Sequence, residues 1–212
     1  MIKAIFFDLD DCIFETDTID IDIFNPIVSI LITHENLKDK PVEEVKKLIF
    51  DTSVNKVARI YNFSEAYACN LRKAYRKLVA PPTIKPFNDV AVLNDLPLTK
   101  ILVTRGFYEY QHSKIKVLNI SKYFNEIIVD EVDDYGHAKG KKLIFEQLMK
   151  KYNLKPKEVA VIGDCAEEGF ELKAGKDLGA ITIQSLRPGV KKADGFDYYV
   201  SSFKELKKII KI

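Results

Sequence analysis

The stretch Ile2-Lys3-Ala4-Ile5-Phe6-Phe7-Asp8-Leu9-Asp10-Asp11 decides the fold. Its apolar residues, Ala4 to Phe7, run without alternation and stop abruptly at acids. A half-buried strand alternates apolar and polar residues, whereas a strand covered on both faces does not, and such strands belong to parallel sheets. The same signature returns at Lys100–Thr104, Glu126–Asp130, Val159–Asp164 and Ala180–Ile183, and in weaker form at Asp197–Val200. Helical patterns separate these runs. Gln111–Asn119 carries Ile115 and Leu118 on one face, Lys142–Tyr152 carries Leu143, Phe145 and Leu148, and Ser202–Ile212 carries Phe203, Leu206 and Ile209 behind Ser202 as N-cap.

Strands alternating with helices predict an α/β fold: a Rossmann-like parallel sheet sandwiched by helices, joined by right-handed crossovers, with the first strand central. Residues 16–80 break that rhythm. Asn25-Pro26 reads as a helix start, Pro41 opens an amphipathic run with Val42, Val45, Leu48 and Ile49, and Ser64 opens another with Tyr67, Leu71, Ala74 and Leu78. Pro81-Pro82 stops any helix. The expectation is a small all-helical unit over 16–80, inserted after the first strand of a core made of 1–15 and 81–212.

This division also explains the length. The chain has 212 residues, an awkward number against about 150 per domain. At 47% hydrophobic and 30% charged it is globular, which excludes disordered and collagen-like classes. A formal net charge of +2 gives no strong field toward nucleic acid or an anionic membrane. The longest apolar runs, Ala4–Phe7 and Pro26–Ile32, fall far short of the roughly 20 residues of a membrane span, and the first residues lack a signal-peptide pattern. Cys12, Cys69 and Cys165 form no CxxC, so a disulfide framework and a zinc site are not expected, and a reducing cytoplasm is.

In an open parallel sheet, ligands bind beyond the carboxyl ends of the strands. Asp8-Leu9-Asp10-Asp11, Thr104-Arg105-Gly106 and Gly163-Asp164-Cys165 stand at such ends, and Lys139, Lys141 and Lys142 open a helix nearby. Crowded carboxylates repel unless a cation sits among them, and an all-oxygen set without His or Cys suits Mg2+, which completes its shell with water and phosphate. Lys and Thr would bind phosphate oxygens. An ionised Asp can attack phosphorus, and a second can protonate the leaving oxygen and then deprotonate water.

These residues resemble the motifs of the haloacid dehalogenase-like hydrolase superfamily. Phe6-Phe7-Asp8-Leu9-Asp10-Asp11-Cys12 resembles its first motif, Ile101–Thr104 its second, Lys139 its third-motif lysine and Val161–Asp164 its fourth. The order and spacing hold across the whole chain, and the helical insert falls where the family's first type of cap sits. The resemblance implies Asp8 as nucleophile and metal ligand, and Asp10 as acid–base and backbone metal ligand. It implies Thr104 and Lys139 as holders of the phosphoryl group, Asp164 as a further ligand, Mg2+ as cofactor and a small phosphorylated metabolite as substrate. Dehalogenating branches lack the second aspartate, so Asp10 favours phosphoryl chemistry.

Some positions depart from the pattern. Cys12 replaces the usual Thr or Val. The further fourth-motif acid is either Glu168, at the usual spacing, or Glu171, which lies in the more familiar downstream context. Lys141 rivals Lys139, with Lys142 behind. Arg105 and, in the insert, Arg59, Tyr67, Asn70 and Arg72 are candidate substrate contacts. The alternatives are a phosphomutase or phosphotransferase of the same superfamily, a receiver-like signalling module phosphorylated at the end of the third strand, Asp130, and a non-catalytic phosphate-binding relative. Oligomeric state is not legible.

Overall fold

A computed structural model describes residues 1–210. The expected strands form one sheet in which every neighbouring pair is parallel: β1 (Ala4–Phe7), β2 (Thr99–Gly106), β3 (Glu126–Glu131), β4 (Val159–Gly163), β5 (Ile181–Ser185) and β6 (Tyr198–Val200). Their order is β3-β2-β1-β4-β5-β6, so β1 is central. Because side chains alternate across a strand, β1 splits its residues between two apolar layers. Ala4 and Phe6 meet Ile144, Phe145 and Leu148 of a helix on one face. Ile5 and Phe7 meet Ile115, Leu118, Phe203 and Leu206 on the other.

The helices over the sheet are α5 (Tyr108–Leu118), α6 (Lys141–Lys151), α7 (Glu171–Asp177) and α8 (Leu206–Ile209). The C-terminal pattern read over 202–212 is shorter than expected. Ser202 caps a 3-10 turn, Phe203–Glu205, before α8, and residues 211 and 212 lie outside the described residues. Among the described residues, no helix is long and apolar enough to cross a membrane.

Between β1 and β2 the chain is helical: α1 (Asn25–Leu31), α2 (Val42–Asp51), α3 (Val54–Ile60) and α4 (Glu65–Arg76), with short 3-10 turns ahead of α1. Pro26 stands at the first turn of α1, and Ser64 caps α4 by accepting from the Tyr67 N–H. The turn at Thr52-Ser53 separates α3 from α2, with Ser53 as its N-cap. The apolar interior of this segment, including Ile27, Leu31, Val45, Ile49 and Leu71, is continuous with Leu9, Ile13 and Phe14 behind the β1 end.

Candidate active site

The sheet register brings the chemistry to one rim. Phe7 lies opposite Leu102 of β2 and Ile162 of β4. The next residues along these three adjacent strands are therefore Asp8, Val103-Thr104 and Gly163-Asp164. The Asp8 N–H extends the ladder by donating to the Ile162 carbonyl at 2.9 Å. Its side chain is carried just past the sheet and is only 8% exposed.

Lys141 Nζ donates to Asp8 Oδ1 at 2.7 Å and to Glu171 Oε2 at 2.8 Å. Glu171 is fixed from its other side, because Oε1 accepts the Cys165 N–H at 2.9 Å. Glu171 reaches this position across Gly163, where a Cβ would lie 2.4 Å from Glu171 Cγ. A glycine at the β4 end is thus a condition of the cluster. Asp164 completes it: one carboxylate oxygen each from Asp8, Asp164 and Glu171 lies within 4.8 Å of the others.

The electrostatics call for more positive charge than Lys141 supplies. Burial, then the Glu171 and Asp10 charges, push the Asp8 carboxyl up to about 7 against the pull of Lys141. Burial, with Asp8 and Glu171 nearby, pushes Asp164 up to about 8. Burial works against the Lys141 ammonium, but Asp8 and Glu171 outweigh it and hold the lysine charged. Buried carboxylates with oxygen donors alone fit a hard divalent cation. Glu171 already accepts on both oxygens, from Lys141 and the Cys165 N–H, whereas Asp8 keeps one oxygen clear of Lys141.

Asp10 stands beside this cluster in the turn after β1. Lys114 Nζ donates to its Oδ1 at 2.7 Å and Gln111 Nε2 to its Oδ2 at 2.9 Å. The same Gln111 amide donates to Thr104 Oγ1 at 2.5 Å, and Thr104 is fully buried. Asp11, at φ +50°, closes the turn by accepting from both the N–H and the hydroxyl of Thr16. Cys12 is buried against the Ile162 carbonyl, and burial raises its thiol well above the ordinary range.

Asp8, Asp10, Thr104 and Asp164 therefore share one rim, but Lys139 does not join them. It lies before Gly140, the N-cap of α6, and its exposed side chain points to Gln147, 3.5 Å away beside the β3 edge. Lys141 is the first helical residue, in line with Ile144, Phe145 and Leu148 on the inward face. Helix phase thus selects Lys141 and leaves Lys142 half exposed near Asp177. Glu171 is buried in the cluster while Glu168 is exposed. Arg105 is held by Asp130. In the insert, Arg72 is buried against Asn55, Glu65 and the Asp134 carbonyl, Tyr67 donates to the Ile30 carbonyl, and Arg59 and Asn70 are exposed. Gln111 and Lys114 were not anticipated. Their signal was a polar pair at the same helical spacing as Ile115 and Leu118, hence on the buried face of α5.

Over its whole length the chain is 27% identical to a glyceraldehyde 3-phosphate phosphatase of Methanocaldococcus jannaschii, across 230 aligned residues and 98% of that protein. A haloacid dehalogenase-type phosphatase structure from Thermococcus onnurineus superposes with a TM-score of 0.61 at 21% identity, covering 99% of this chain and 98% of the other. The magnesium-bound putative hydrolase YfnB of Bacillus subtilis superposes at 0.59 and 17% identity, covering 100% and 99%. The sequence profile of the haloacid dehalogenase-like hydrolases matches residues 5–184, which takes in every strand end just described, and the chain belongs to that family.

Proposed function

We propose that the protein is a Mg2+-dependent phosphatase that hydrolyses a small phosphomonoester through a phosphoryl group carried on Asp8. The observation that carries this reading is the buried Asp8 carboxylate, held by Lys141 beside Asp164, with Thr104 and Asp10 on the same rim. Asp8 attacks phosphorus through a carboxylate oxygen while the ester P–O bond breaks, and the departing oxygen takes the proton of the Asp10 carboxyl. In the second half Asp10 takes a proton from water, the water oxygen attacks phosphorus, and the bond to Asp8 breaks. Thr104 and Lys141 hold the phosphoryl oxygens, with Lys141 in the role expected of Lys139. Glu171 acts by orienting Lys141. Asp8, Asp164 and the Asp10 carbonyl would hold Mg2+, which would supply positive charge to offset the carboxylate against the phosphoryl oxygens.

The insert over residues 16–80 is proposed as the cap that covers the substrate and selects it. Glyceraldehyde 3-phosphate, the substrate named for the Methanocaldococcus relative, is the first compound to test. The receiver-like alternative is disfavoured by the sheet. Receivers of the flavodoxin-like order set β1 beside β3, whereas here β2 separates them, and Asp130 is spent on Arg105 and the Gly140 N–H.

The test is release of inorganic phosphate from a panel of phosphomonoesters with Mg2+. The expected result is turnover that Asp8→Asn abolishes and a chelator removes. Turnover by Asp8→Asn, or none on any phosphoester, would overturn the reading. Transfer of phosphate to a sugar in place of water would assign a mutase.

A further inference from the structure

We propose that Lys114 and Gln111 of α5 are positioning residues for catalysis, which fix the Asp10 carboxylate and tie it to Thr104. This deepens the proposed function and rests on the reading of Asp10 as the group that serves the leaving oxygen. Asp10 sits in a turn with its side chain 30% exposed, so packing alone does not choose its rotamer. The choice is made by two donors, one on each oxygen, and the second lone pair of an oxygen stays available for the proton that passes to the leaving group.

Both donors are built for this place. Lys114 is only 6% exposed, and a buried ammonium is costly unless it is paired. Its charged end lies 4.4 Å from the Tyr110 ring centre and 5.8 Å from that of Phe14, which restricts the approach to Asp10. Gln111, 2% exposed, divides one amide nitrogen among Asp10 Oδ2, Thr104 Oγ1 and the Arg105 carbonyl. Gly106 makes room for it, since a Cβ there would stand 2.9 Å from Gln111 Cγ. The residue holding the phosphoryl group and the residue serving the leaving oxygen are therefore set relative to one another by a single side chain.

A purely structural ion pair would, when removed, slow every substrate alike. A positioning role makes the loss depend on the leaving group, because an alkoxide needs a proton as it departs and p-nitrophenolate does not. The experiment measures kcat/KM, which reports steps through ester cleavage, for an alkyl phosphomonoester and for p-nitrophenyl phosphate. It uses the Mg2+-loaded wild type, Asp10→Asn, Lys114→Met, Lys114→Arg and Gln111→Met. General acid assistance is worth ~100-fold or more, so Asp10→Asn should lose at least that on the alkyl ester and far less on the aryl ester. Lys114→Met and Gln111→Met should show the same skew, by ~10-fold or more, and Lys114→Arg should recover most of it. If Lys114→Met does not fold, Gln111→Met carries the comparison. A skew in Asp10→Asn with equal losses on both esters in the α5 variants overturns the positioning role and leaves the Asp10 reading intact. No skew in Asp10→Asn removes that reading, and the proposal with it.

Discussion

Lys141 and Lys139 are two positions apart and have opposite surroundings, which makes them a sharp residue-level test. Replacing Lys141 by Met leaves Asp8 and Glu171 buried without their shared cation, so phosphatase activity should fall by ~100-fold or more. Lys139→Ala removes an exposed side chain and should stay within about twofold in steady-state assays. Asp164 offers a test that needs no substrate. Its ordinary value of 3.8 is pushed up to about 8 by burial and its neighbouring carboxylates, so the metal-free folded protein holds a proton across that interval that the unfolded chain has shed. Stability then declines as pH rises through the interval. Asp164→Asn lacks this proton, so in chelator its stability advantage over wild type should widen from about pH 4 to 8 and level off above. Mg2+ should narrow the gap by binding only the wild type. Denaturant melts across that pH range decide it, and a gap independent of pH would rule it out. Asp8 and Asp164 were legible in the sequence because each ends a non-alternating apolar run, whereas Glu171, which opens α7, stayed open against Glu168. Lys141 could not be told from Lys139 there, because both precede or open α6 and only the position of Gly140 puts Lys141 on its inward face.

At the scale of elements, the strands were readable from their apolar runs and most helices from their caps and stripes. α3 was not, since its short apolar set, Val54, Val57 and Ala58, sits between two stronger patterns. Long-range polar clamps were invisible for a different reason: their partners are distant in sequence. Arg187, after β5, donates twice to Asp89 before β2, and its Nε donates to the Cys12 carbonyl in the loop that follows Asp8. The guanidinium lies between the Phe87 and Phe203 rings, 4.3 and 4.4 Å from their centres, while Asp89 also accepts the Ser202 hydroxyl and the Phe203 N–H. Both side chains are nearly buried. Arg187→Met leaves the Asp89 charge without its main partner and should cost about 3–5 kcal/mol. The urea midpoint should fall with the slope unchanged, and Asp89→Asn in the same chain should restore part of it. A loss below about 1 kcal/mol would mean that water replaces the arginine without penalty.

For the whole molecule, the question is how substrate reaches an Asp8 that is 8% exposed. The helical segment shares an apolar interior with the core near Leu9, Ile13 and Phe14, where the chain crosses between them. Beside the stacked Tyr75 and Phe107 rings, α4 and its neighbours also make polar ties to one loop. Arg76 pairs with Glu131 and Asp134 and donates to the Val132 carbonyl, Arg72 donates to the Asp134 carbonyl, and Asn55 to the Gly136 carbonyl. An apolar interior where the chain crosses, with breakable polar ties to the 131–136 loop, is what a hinged cover needs. Opening would separate α4 from residues 131–136 while the interior near Phe14 stays packed. The Arg76 ties are partly exposed and individually weak, so Arg76→Ala should shift the population toward the open form without unfolding it. Deuterium uptake should then rise together in 65–76 and 131–136, with 4–7 unchanged, and a phosphate mimic with Mg2+ should suppress the rise. Uptake confined to 131–136 would instead describe a loose loop beside a fixed insert, and access to Asp8 would have to come from elsewhere on the rim.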